Sequence, residues 1–493
     1  MPNKSYLFYD LETTGLDVSF DQVVQFAAIL TDENLNELKR FNYLIRLNPD
    51  TIPSAFAQIT HQISINQANS QGINEYDAMN KIHQLLNRAN TINLGYNTLG
   101  FDDEFLRFSF YRNLLDPYTH QYKDGCRRMD IYPMTIMYYL HDQNRLKWPK
   151  NSQGHISFKL EHLNTANELV KGGRAHDALT DVEVTVALAR ILKQNQAMWH
   201  YLENLFIKQN DQQQLDKIDK TISINDNLYT QGLLTNGKFG ARNQYQSLGL
   251  LLGQHNHYKN QNCWLRLDLD HFPEAVNQFL LKQNHNEDSQ QIIIDEFHDK
   301  LALPYVNKKL GETPFLLPLL DRFTNKLTSK KIENCEKNIQ WLQENTSIFQ
   351  QIKDHLLNYQ YPTFEQTDSQ SALYLDGFLK PFEKNQCELF HQKNIRDKAK
   401  MLNKFQGHLK ARALRIIGRI QPELLTSDEL ELFQKYLESI TEYDASHRPF
   451  NFKGNPARGL DDVYNEINTL KSETNLDSNQ IQLLDELSAY LNI

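Results

Sequence analysis

The sequence predicts an α/β or α+β domain followed by a β-rich region and a helical region. Three observations support this prediction. Apolar segments of strand length open the chain, and turns separate them. Between residues 74 and 194, apolar residues mostly recur at helical spacing. Farther along the chain, short alternating segments are broken by Asn, Gly and Pro, and the pattern becomes mostly helical from about residue 355.

The periodicity of the chain places the individual elements. Strands are predicted over residues 6–12, 23–30, 39–47 and 91–96, and helices over residues 74–87, 101–115, 130–140, 160–169 and 178–194. Residues 247–252 and 262–269 alternate as strands do, which predicts a small sandwich or barrel. Residues 330–359 are helical in pattern, and Thr426 with Glu429 has the form of a capping box.

Composition limits the class of protein. The length of 493 residues suggests about two to four domains. No apolar segment approaches a membrane span and no signal sequence precedes the first strand, so we expect a cytoplasmic protein without membrane association. The four cysteines are scattered without zinc-ligand spacing. A net charge of −9 argues against a wholly basic nucleic-acid coat, but it allows local basic patches.

The first strand carries two carboxylates on one face. Alternation along a strand puts Asp10 and Glu12 on one side, and Leu7, Tyr9 and Leu11 on the other. Adjacent carboxylates repel each other, and a divalent cation between them removes that cost. Oxygen ligands of this kind favour Mg²⁺ or Mn²⁺. The alternative is a strand whose exposed face happens to carry two acids.

Two later aspartates lie on apolar helix faces. Asp102 shares a face with Phe105 and Leu106, and Asp181 falls at helical spacing with Val184. An aspartate that faces a core needs a partner, and a metal ion shared with the acids of the first strand would provide one.

Other polar residues near these acids have different predicted roles. His176 lies five residues before Asp181, and a histidine whose pKa is near neutrality suits a general base. A solvent-facing loop histidine is the alternative. Asp103 and Glu104 are expected to help start their helix, and Asp177 to cap the last helix of the domain.

Three motifs in order resemble the DEDDh branch of the proofreading-type 3′→5′ exonuclease superfamily. They are Asp10-x-Glu12, Asn97-x-x-x-Phe101-Asp102 and His176-x-x-x-x-Asp181. The resemblance implies an α/β RNase H-like exonuclease domain in which Asp10, Glu12, Asp102 and Asp181 hold two Mg²⁺ ions, which Mn²⁺ could replace. It also implies that His176 takes the proton of the attacking water and that the product is a nucleoside 5′-monophosphate.

A narrower resemblance is to the bacterial exonuclease I family, which degrades single-stranded DNA. It is carried by residues 95–97, 101–104, 110–113, 116–118, 157–163 and 237–241. It implies a DEDDh exonuclease domain (4–193), an SH3-like β-barrel domain (197–352) and an α-helical C-terminal domain (355–493). The implied partners are single-stranded DNA and the acidic C-terminal tail of single-stranded DNA-binding protein, which basic residues of the first two domains would receive. We expect a monomer.

The same resemblance implies substrate contacts at Glu12, Arg107, Tyr118, Tyr122 and Lys159. Glu12 would touch the terminal nucleotide, Arg107 a phosphate, and the two tyrosines would line the DNA path. Lys159 replaces the arginine of a family relative, so the charge is kept and the bidentate fork is lost. Tyr122 stands where Trp is expected, and either ring can stack on a base. Ordinary surface or core positions are the alternative for each.

A basic stretch lies near the C-terminus. Nine Lys or Arg residues and one acid occur between residues 393 and 419, which indicates a stripe suited to phosphates or, alternatively, a solvated helix face. The resemblance to these families implies a Mg²⁺-dependent 3′→5′ exonuclease acting on single-stranded DNA in repair and recombination. A 3′→5′ exoribonuclease and a non-catalytic single-strand-binding scaffold are the alternatives.

Overall fold

The computed structural model describes residues 4–172, 177–284, 303–473 and 475–493. The chain divides into two compact units. Unit 1 comprises residues 1–130, 168–189 and 362–493, and unit 2 comprises residues 131–167 and 190–361. Both units are therefore assembled from segments that are distant in the sequence.

Unit 1 is built on a mixed five-stranded sheet of order β3-β2-β1-β4-β5. The strands are β1 (Ser5–Thr13), β2 (Val23–Asp32), β3 (Glu37–Leu44), β4 (Thr91–Gly95) and β5 (Arg127–Asp130). β2 pairs antiparallel with both β1 and β3, whereas β4 runs parallel to both β1 and β5. The four predicted strands are confirmed. β5 was missed because it is only four residues long and begins with two arginines.

All five helices predicted up to residue 194 are present, whereas helix Phe272–Asn284 interrupts the region in which only short alternating segments were predicted. The helices up to residue 284 are α1 (Ala55–His61), α2 (Ile65–Gln71), α3 (Glu75–Leu86), α4 (Asp102–Arg112), α5 (Ile131–His141), α6 (Leu160–Asn167), α7 (Ala178–Lys193), α8 (Gln196–Leu205), α9 (Lys208–Asp216) and α10 (Phe272–Asn284). α3 begins after Asn74, whose side chain accepts a hydrogen bond from Asp77 N at 2.9 Å. The seven-residue helices α1 and α2 were missed because two turns are too short to show a period.

The apolar face of β1 forms one core of unit 1. Leu7, Tyr9 and Leu11 are buried together with Met79 of α3 and Phe105 of α4, among others. Because side chains alternate along a strand, the opposite face of β1 presents Asp10 and Glu12. The core thus fixes the strand that carries both acids.

Helices after residue 362 complete a second core of unit 1. They include Pro381–Gln392, Ile395–Lys400, Gly407–Ile420, Ser427–Ile440, Leu460–Glu473 and Ser478–Leu491, together with the short helix Leu373–Asp376. Val24, Ile52 and Ala55 are buried in the same cluster as Leu402 and Ile417. The predicted capping box is confirmed, since Thr426 and Glu429 form both of its reciprocal bonds.

Unit 2 contains an antiparallel sheet of order β10-β9-β8-β7-β11, with β6 paired to β7. Its strands are β6 (Lys220–Ile224), β7 (Asn227–Thr235), β8 (Gln246–Gln254), β9 (Gln261–Arg266), β10 (Tyr305–Lys309) and β11 (Phe315–Leu317). Leu234, Trp264 and Leu316 form a buried cluster on this sheet. The short helix Asp321–Thr324 and helices Ser329–Glu344 and Thr346–Asn358 follow. The β-rich and helical segments predicted here are confirmed.

Among the described residues, no helix combines the length and the apolar character needed to cross a lipid bilayer.

Candidate active site

The acids of β1 lie at the centre of the sheet of unit 1. Asp10 is opposite Ala27 of β2, and Glu12 is opposite Gln25. Both acids are half-buried and point to the same face, as their spacing predicted. β2 and β4 flank β1, so its backbone is held on both sides.

Asp102 approaches β1 from the first turn of α4. It is 5% exposed, and its Oδ1 accepts a hydrogen bond from Leu11 N at 3.1 Å, between Asp10 and Glu12. The turn before α4 is held by Asp130 of β5, which accepts hydrogen bonds from the backbone N of Asn97 (2.8 Å) and Leu99 (3.1 Å). The sheet thus positions Asp102 through the loop that leads to it.

Asp181 lies in the first turn of α7. Oxygen atoms of Asp10, Glu12 and Asp181 all lie within 4.8 Å of one another. Asp177 Oδ1 accepts from Thr180 N at 3.1 Å, which confirms the predicted cap. The structure therefore brings together three predicted acids directly and Asp102 through its bond to β1.

The electrostatics of this cluster are unfavourable without a cation. Burial raises the pKa of Asp10 well above its usual range, and the charges of Asp102, Glu12 and Asp181 raise it further. Burial also raises the pKa of Asp102 to about 8, although its backbone hydrogen bonds oppose this. Oxygens on opposite sides of one Mg²⁺ are about 4.2 Å apart, so this cluster is close to the size of such a site. The donor set therefore fits a divalent metal ion.

Comparisons with known proteins show the family of the chain. A family model described as Exonuclease matches residues 7–189. Exodeoxyribonuclease I of Buchnera aphidicola subsp. Schizaphis graminum is 30% identical over 357 residues, which cover 72% of this chain and 70% of the relative. The chain belongs to the exodeoxyribonuclease I family. Exodeoxyribonuclease I of Escherichia coli K12 is 34% identical over 216 residues, covering 44% of this chain and 45% of the relative.

Solved structures of exonuclease I share the fold over the whole chain. The zinc-bound complex of Escherichia coli exonuclease I with single-stranded DNA matches with a TM-score of 0.80 at 23% identity and covers 100% of this chain and 99% of that chain. A structure of single-stranded DNA-binding protein and exonuclease I with an inhibitor matches with a TM-score of 0.78 at 22% identity, over 100% of this chain and 99% of that chain. The predicted RNase H-like exonuclease fold with a helical C-terminal region is confirmed, and the protein is a metal-dependent exodeoxyribonuclease.

The other catalytic residue predicted in this family, His176, lies outside the described residues. Its role as a general base stays a prediction.

The predicted substrate-contact residues differ in accessibility. The Arg107 side chain is 12% exposed and forms ion pairs with Asp103 and with Glu104 at 2.9 Å. The Tyr118 ring lies 5.7 Å from the Arg107 guanidinium. Tyr122 is 64% exposed. Lys159, in unit 2, is largely exposed and has its ammonium 3.8 Å from Glu161. Tyr122 and Lys159 are therefore open to a ligand, whereas Arg107 is largely engaged within the protein.

Sequence reasoning missed the buried role of Asp103. Its side chain is 1% exposed and pairs with Arg107, with Arg128 of β5 and with His120. Although burial opposes ionisation, the charges of Arg128 and Arg107 lower the pKa of Asp103. The sequence spacing does not connect residue 103 with residues 120 and 128, so these ion pairs could not be predicted from it.

The predicted basic stripe is wrong for four of its members. Arg412, Arg415 and Arg419 are inward-facing and form ion pairs with Asp376, Asp368 and Asp50, respectively. Lys398 is buried with its ammonium 4.9 Å from the Tyr76 ring. The exposed remainder consists of Lys393, Arg396, Lys400, Lys404 and Lys410. Amphipathic spacing does not reveal distant carboxylates, so the buried arginines looked like a surface feature.

Proposed function

We propose that the protein removes nucleoside 5′-monophosphates from the 3′ end of single-stranded DNA in a Mg²⁺-dependent reaction that serves repair and recombination. The observation that supports this proposal best is the convergence of Asp10, Glu12 and Asp181 within 4.8 Å. Asp102 is bonded to the strand beside them. A related structure contains Escherichia coli exonuclease I with single-stranded DNA and zinc.

Four acids and one histidine would carry the chemistry in this proposal. Asp10, Glu12, Asp102 and Asp181 would hold two Mg²⁺ ions, with Mn²⁺ as a substitute. When bound, such ions activate the attacking water and stabilise the leaving oxygen. His176 accepts a proton from that water, and Glu12 also contacts the terminal nucleotide. The hydrogen bond from Leu11 N keeps the buried carboxylate of Asp102 oriented towards β1.

Other residues would bind the single-stranded DNA. Lys159 is an exposed cation suited to a phosphate, and the exposed ring of Tyr122 is suited to stacking on a base. Tyr118 and Arg107 lie together and would contact the strand as a ring and a cation.

The proposed domain organisation follows the family. We propose an exonuclease domain at residues 4–193, an SH3-like β-barrel domain at 197–352 and a helical domain at 355–493, in a cytoplasmic monomer. The antiparallel strand order of unit 2 supports the second of these, because a small closed or half-closed sheet would use such pairing.

We also propose single-stranded DNA-binding protein as a partner, since a related structure contains it with exonuclease I. Within unit 2, a groove of about 360 Å³ is lined by Arg322, Lys326, His141 and Phe323, among others. Burial lowers the pKa of His141 to about 4, so the two cations carry the charge of the groove at neutral pH. A cationic groove with an aromatic wall suits an acidic, partly apolar peptide tail.

The nuclease proposal is tested with a 5′-labelled single-stranded DNA oligomer and Mg²⁺. The expected result is a ladder that shortens from the 3′ end, and its loss in Asp181→Ala. Glu183→Gln is the matched control, because Glu183 lies on the same helix and pairs with Arg40 at the sheet edge. Faster removal of RNA than of matched DNA would favour the exoribonuclease. Binding without nucleotide release would favour the scaffold.

The general base and the partner need separate tests. His176→Ala should abolish the acidic limb of the pH profile of kcat and lower kcat, whereas exposed His200 gives a control variant, His200→Ala. For the partner, a fluorescent acidic peptide should bind the intact protein and lose affinity in Arg322→Ala. Lys330→Ala is the control, because Lys330 is exposed and pairs with Asp270 at 2.9 Å. Equal peptide affinity in both variants would remove the groove from the proposal.

A further inference from the structure

We propose that Asp103 and Arg128 are positioning residues for Asp102, an inference that rests on the proposed function. The two adjacent aspartates have different roles. Asp102 is directed towards the acids of β1, and Asp103 anchors the start of α4 to β5. Neither Asp103 nor Arg128 would touch the substrate or the metal ions.

The contacts of Asp103 join the helix to the sheet. Its Oδ2 lies 2.5 Å from Arg128 Nη1 and 2.5 Å from Arg107 Nη2. Its Oδ1 lies 3.2 Å from His120 Nε2. The Arg107 contact stays within α4, whereas the Arg128 contact ties α4 to a strand. His120 also lies outside α4, but Arg128 is the partner that ties the start of the helix to the sheet.

β5 holds the chain on both sides of Asp102, before α4 and within its first turn. Arg128 and Asp130 are two residues apart on β5, so their side chains leave the same face of the strand. Asp130 accepts hydrogen bonds from the backbone of Asn97 and Leu99, and Arg128 pairs with Asp103. Asp102 lies between these anchors, where its Oδ1 reaches Leu11 N at 3.1 Å.

The site needs such an anchor because its carboxylates repel one another. Asp10, Glu12 and Asp181 gather within 4.8 Å, and Asp102 is bonded to the same stretch of strand. Without a restraint, repulsion would favour withdrawal of the helix start from β1. Residues that orient metal ligands commonly change metal affinity or activity by about 10–100-fold when they are altered.

Stability alone does not account for the arrangement. A buried ion pair can often be replaced by apolar residues without loss of stability, so its presence is weak evidence for a stabilising role. Glu104, the next acid in the helix, pairs with Arg107 at 2.9 Å and is more exposed than Asp103. Glu104→Gln therefore changes the same arginine's surroundings and leaves the bond between α4 and β5 in place.

The experiment compares Asp103→Asn, Arg128→Lys and Glu104→Gln with the unaltered full-length protein. Steady-state cleavage of a single-stranded DNA oligomer gives kcat and KM. Calorimetric titration with Mn²⁺ in the absence of DNA measures metal affinity without any catalysis, and circular dichroism verifies folding. Asp102→Asn is included, because full activity in that variant would refute the proposed site itself.

In Asp103→Asn we expect kcat to fall about 10–100-fold, KM to stay within about twofold, and Mn²⁺ affinity to fall in parallel. Arg128→Lys keeps the positive charge, so kcat and Mn²⁺ affinity should fall less than in Asp103→Asn. Glu104→Gln should match the unaltered protein in both quantities. Unchanged kcat and Mn²⁺ affinity in a folded Asp103→Asn protein would overturn the proposal, and so would a rise in KM alone. If Asp103→Asn does not fold, Arg128→Lys decides on the same two measurements.

Discussion

Asp102 and Asp103 should have opposite effects on stability when each is changed to Asn. Both are buried, but Asp102 faces other acids and has a pKa raised to about 8, mainly by burial. Asp103 faces Arg128 and Arg107, which lower its pKa despite its burial. Asp102→Asn in metal-free protein should therefore stabilise the fold at neutral pH, and Asp103→Asn should destabilise it.

The size of the first effect follows from linkage. Between its ordinary pKa of 3.8 and about 8, Asp102 binds more proton in the folded state than in the unfolded state. The stability of the metal-free protein therefore falls as pH rises through this window. At pH 7 the cost is at most about 4 kcal/mol, at about 1.4 kcal/mol per pH unit. Asp102→Asn removes this cost, and its carboxamide oxygen can still accept from Leu11 N.

The size of the second effect follows from the arginine left behind. Removing one partner of a buried ion pair typically costs about 3–5 kcal/mol. Because the pKa of Asp103 is lowered, the stability that its charge contributes is present above about pH 4 and is lost as pH falls below it. Asp103→Asn should therefore be destabilising across the whole range from pH 5 to pH 8.

Thermal unfolding in EDTA at pH 5, 6, 7 and 8 measures both effects. A change of 1 kcal/mol corresponds to about 2–4 °C for domains of roughly 150–250 residues, and unit 1 is larger, so the lower end of this range is expected. The advantage of Asp102→Asn over the unaltered protein should grow from pH 5 to pH 8 and disappear when Mg²⁺ is added. The reasoning is refuted if Asp102→Asn melts no higher than the unaltered protein at pH 8, or if the difference does not depend on pH.

Three further predictions concern other parts of the molecule. Lys308→Met should lower the free energy of unfolding by about 3–5 kcal/mol, because it leaves the buried Asp211 without the ammonium group 2.7 Å away. The double variant Lys308→Met/Asp211→Leu should recover much of this stability, as measured by thermal unfolding. Gly418→Ala should destabilise the protein by about 1–3 kcal/mol, because the new Cβ would lie 2.7 Å from the Phe433 ring and this clash outweighs the helix propensity of Ala. Adding Phe433→Leu should remove the clash and recover the stability. Lys159→Ala should raise KM for single-stranded DNA several-fold with kcat unchanged and lower the salt slope by about one; an unchanged salt slope would exclude a phosphate contact.

The sequence was most informative where one element decided the outcome locally. Alternation in β1 put Asp10 and Glu12 on one face, and helical spacing turned Asp102 and Asp181 towards the core, as the structure has them. These predictions needed only the period of a strand or a helix. The order of the motifs then indicated the family.

Features that depend on distant partners could not be read in the same way. Asp103 was expected to aid the start of α4 as a local charge, but its main partner, Arg128, lies on a four-residue strand that has no periodic signal. Arg412 and Arg415 were assigned to a surface stripe because their carboxylate partners lie about 35 to 50 residues away, as with Asp368 and Asp376. A periodic pattern shows which residues share a face of a helix or strand, but it does not identify the charged residues of other elements that pack against that face.

The shared core between the first strands and the last helices has a consequence for synthesis of the chain. Val24, Ile52 and Ala55 leave the ribosome long before Leu402 and Ile417, the side chains that bury them. The apolar surface of Val24, Ile52 and Ala55 must therefore stay uncovered until the helices after residue 362 have been made, whereas the buried residues of the core on the apolar face of β1 extend only to Phe110. A premature stop codon just before Leu402 would leave every residue of the metal site in place and still remove the side chains that cover Val24, Ile52 and Ala55.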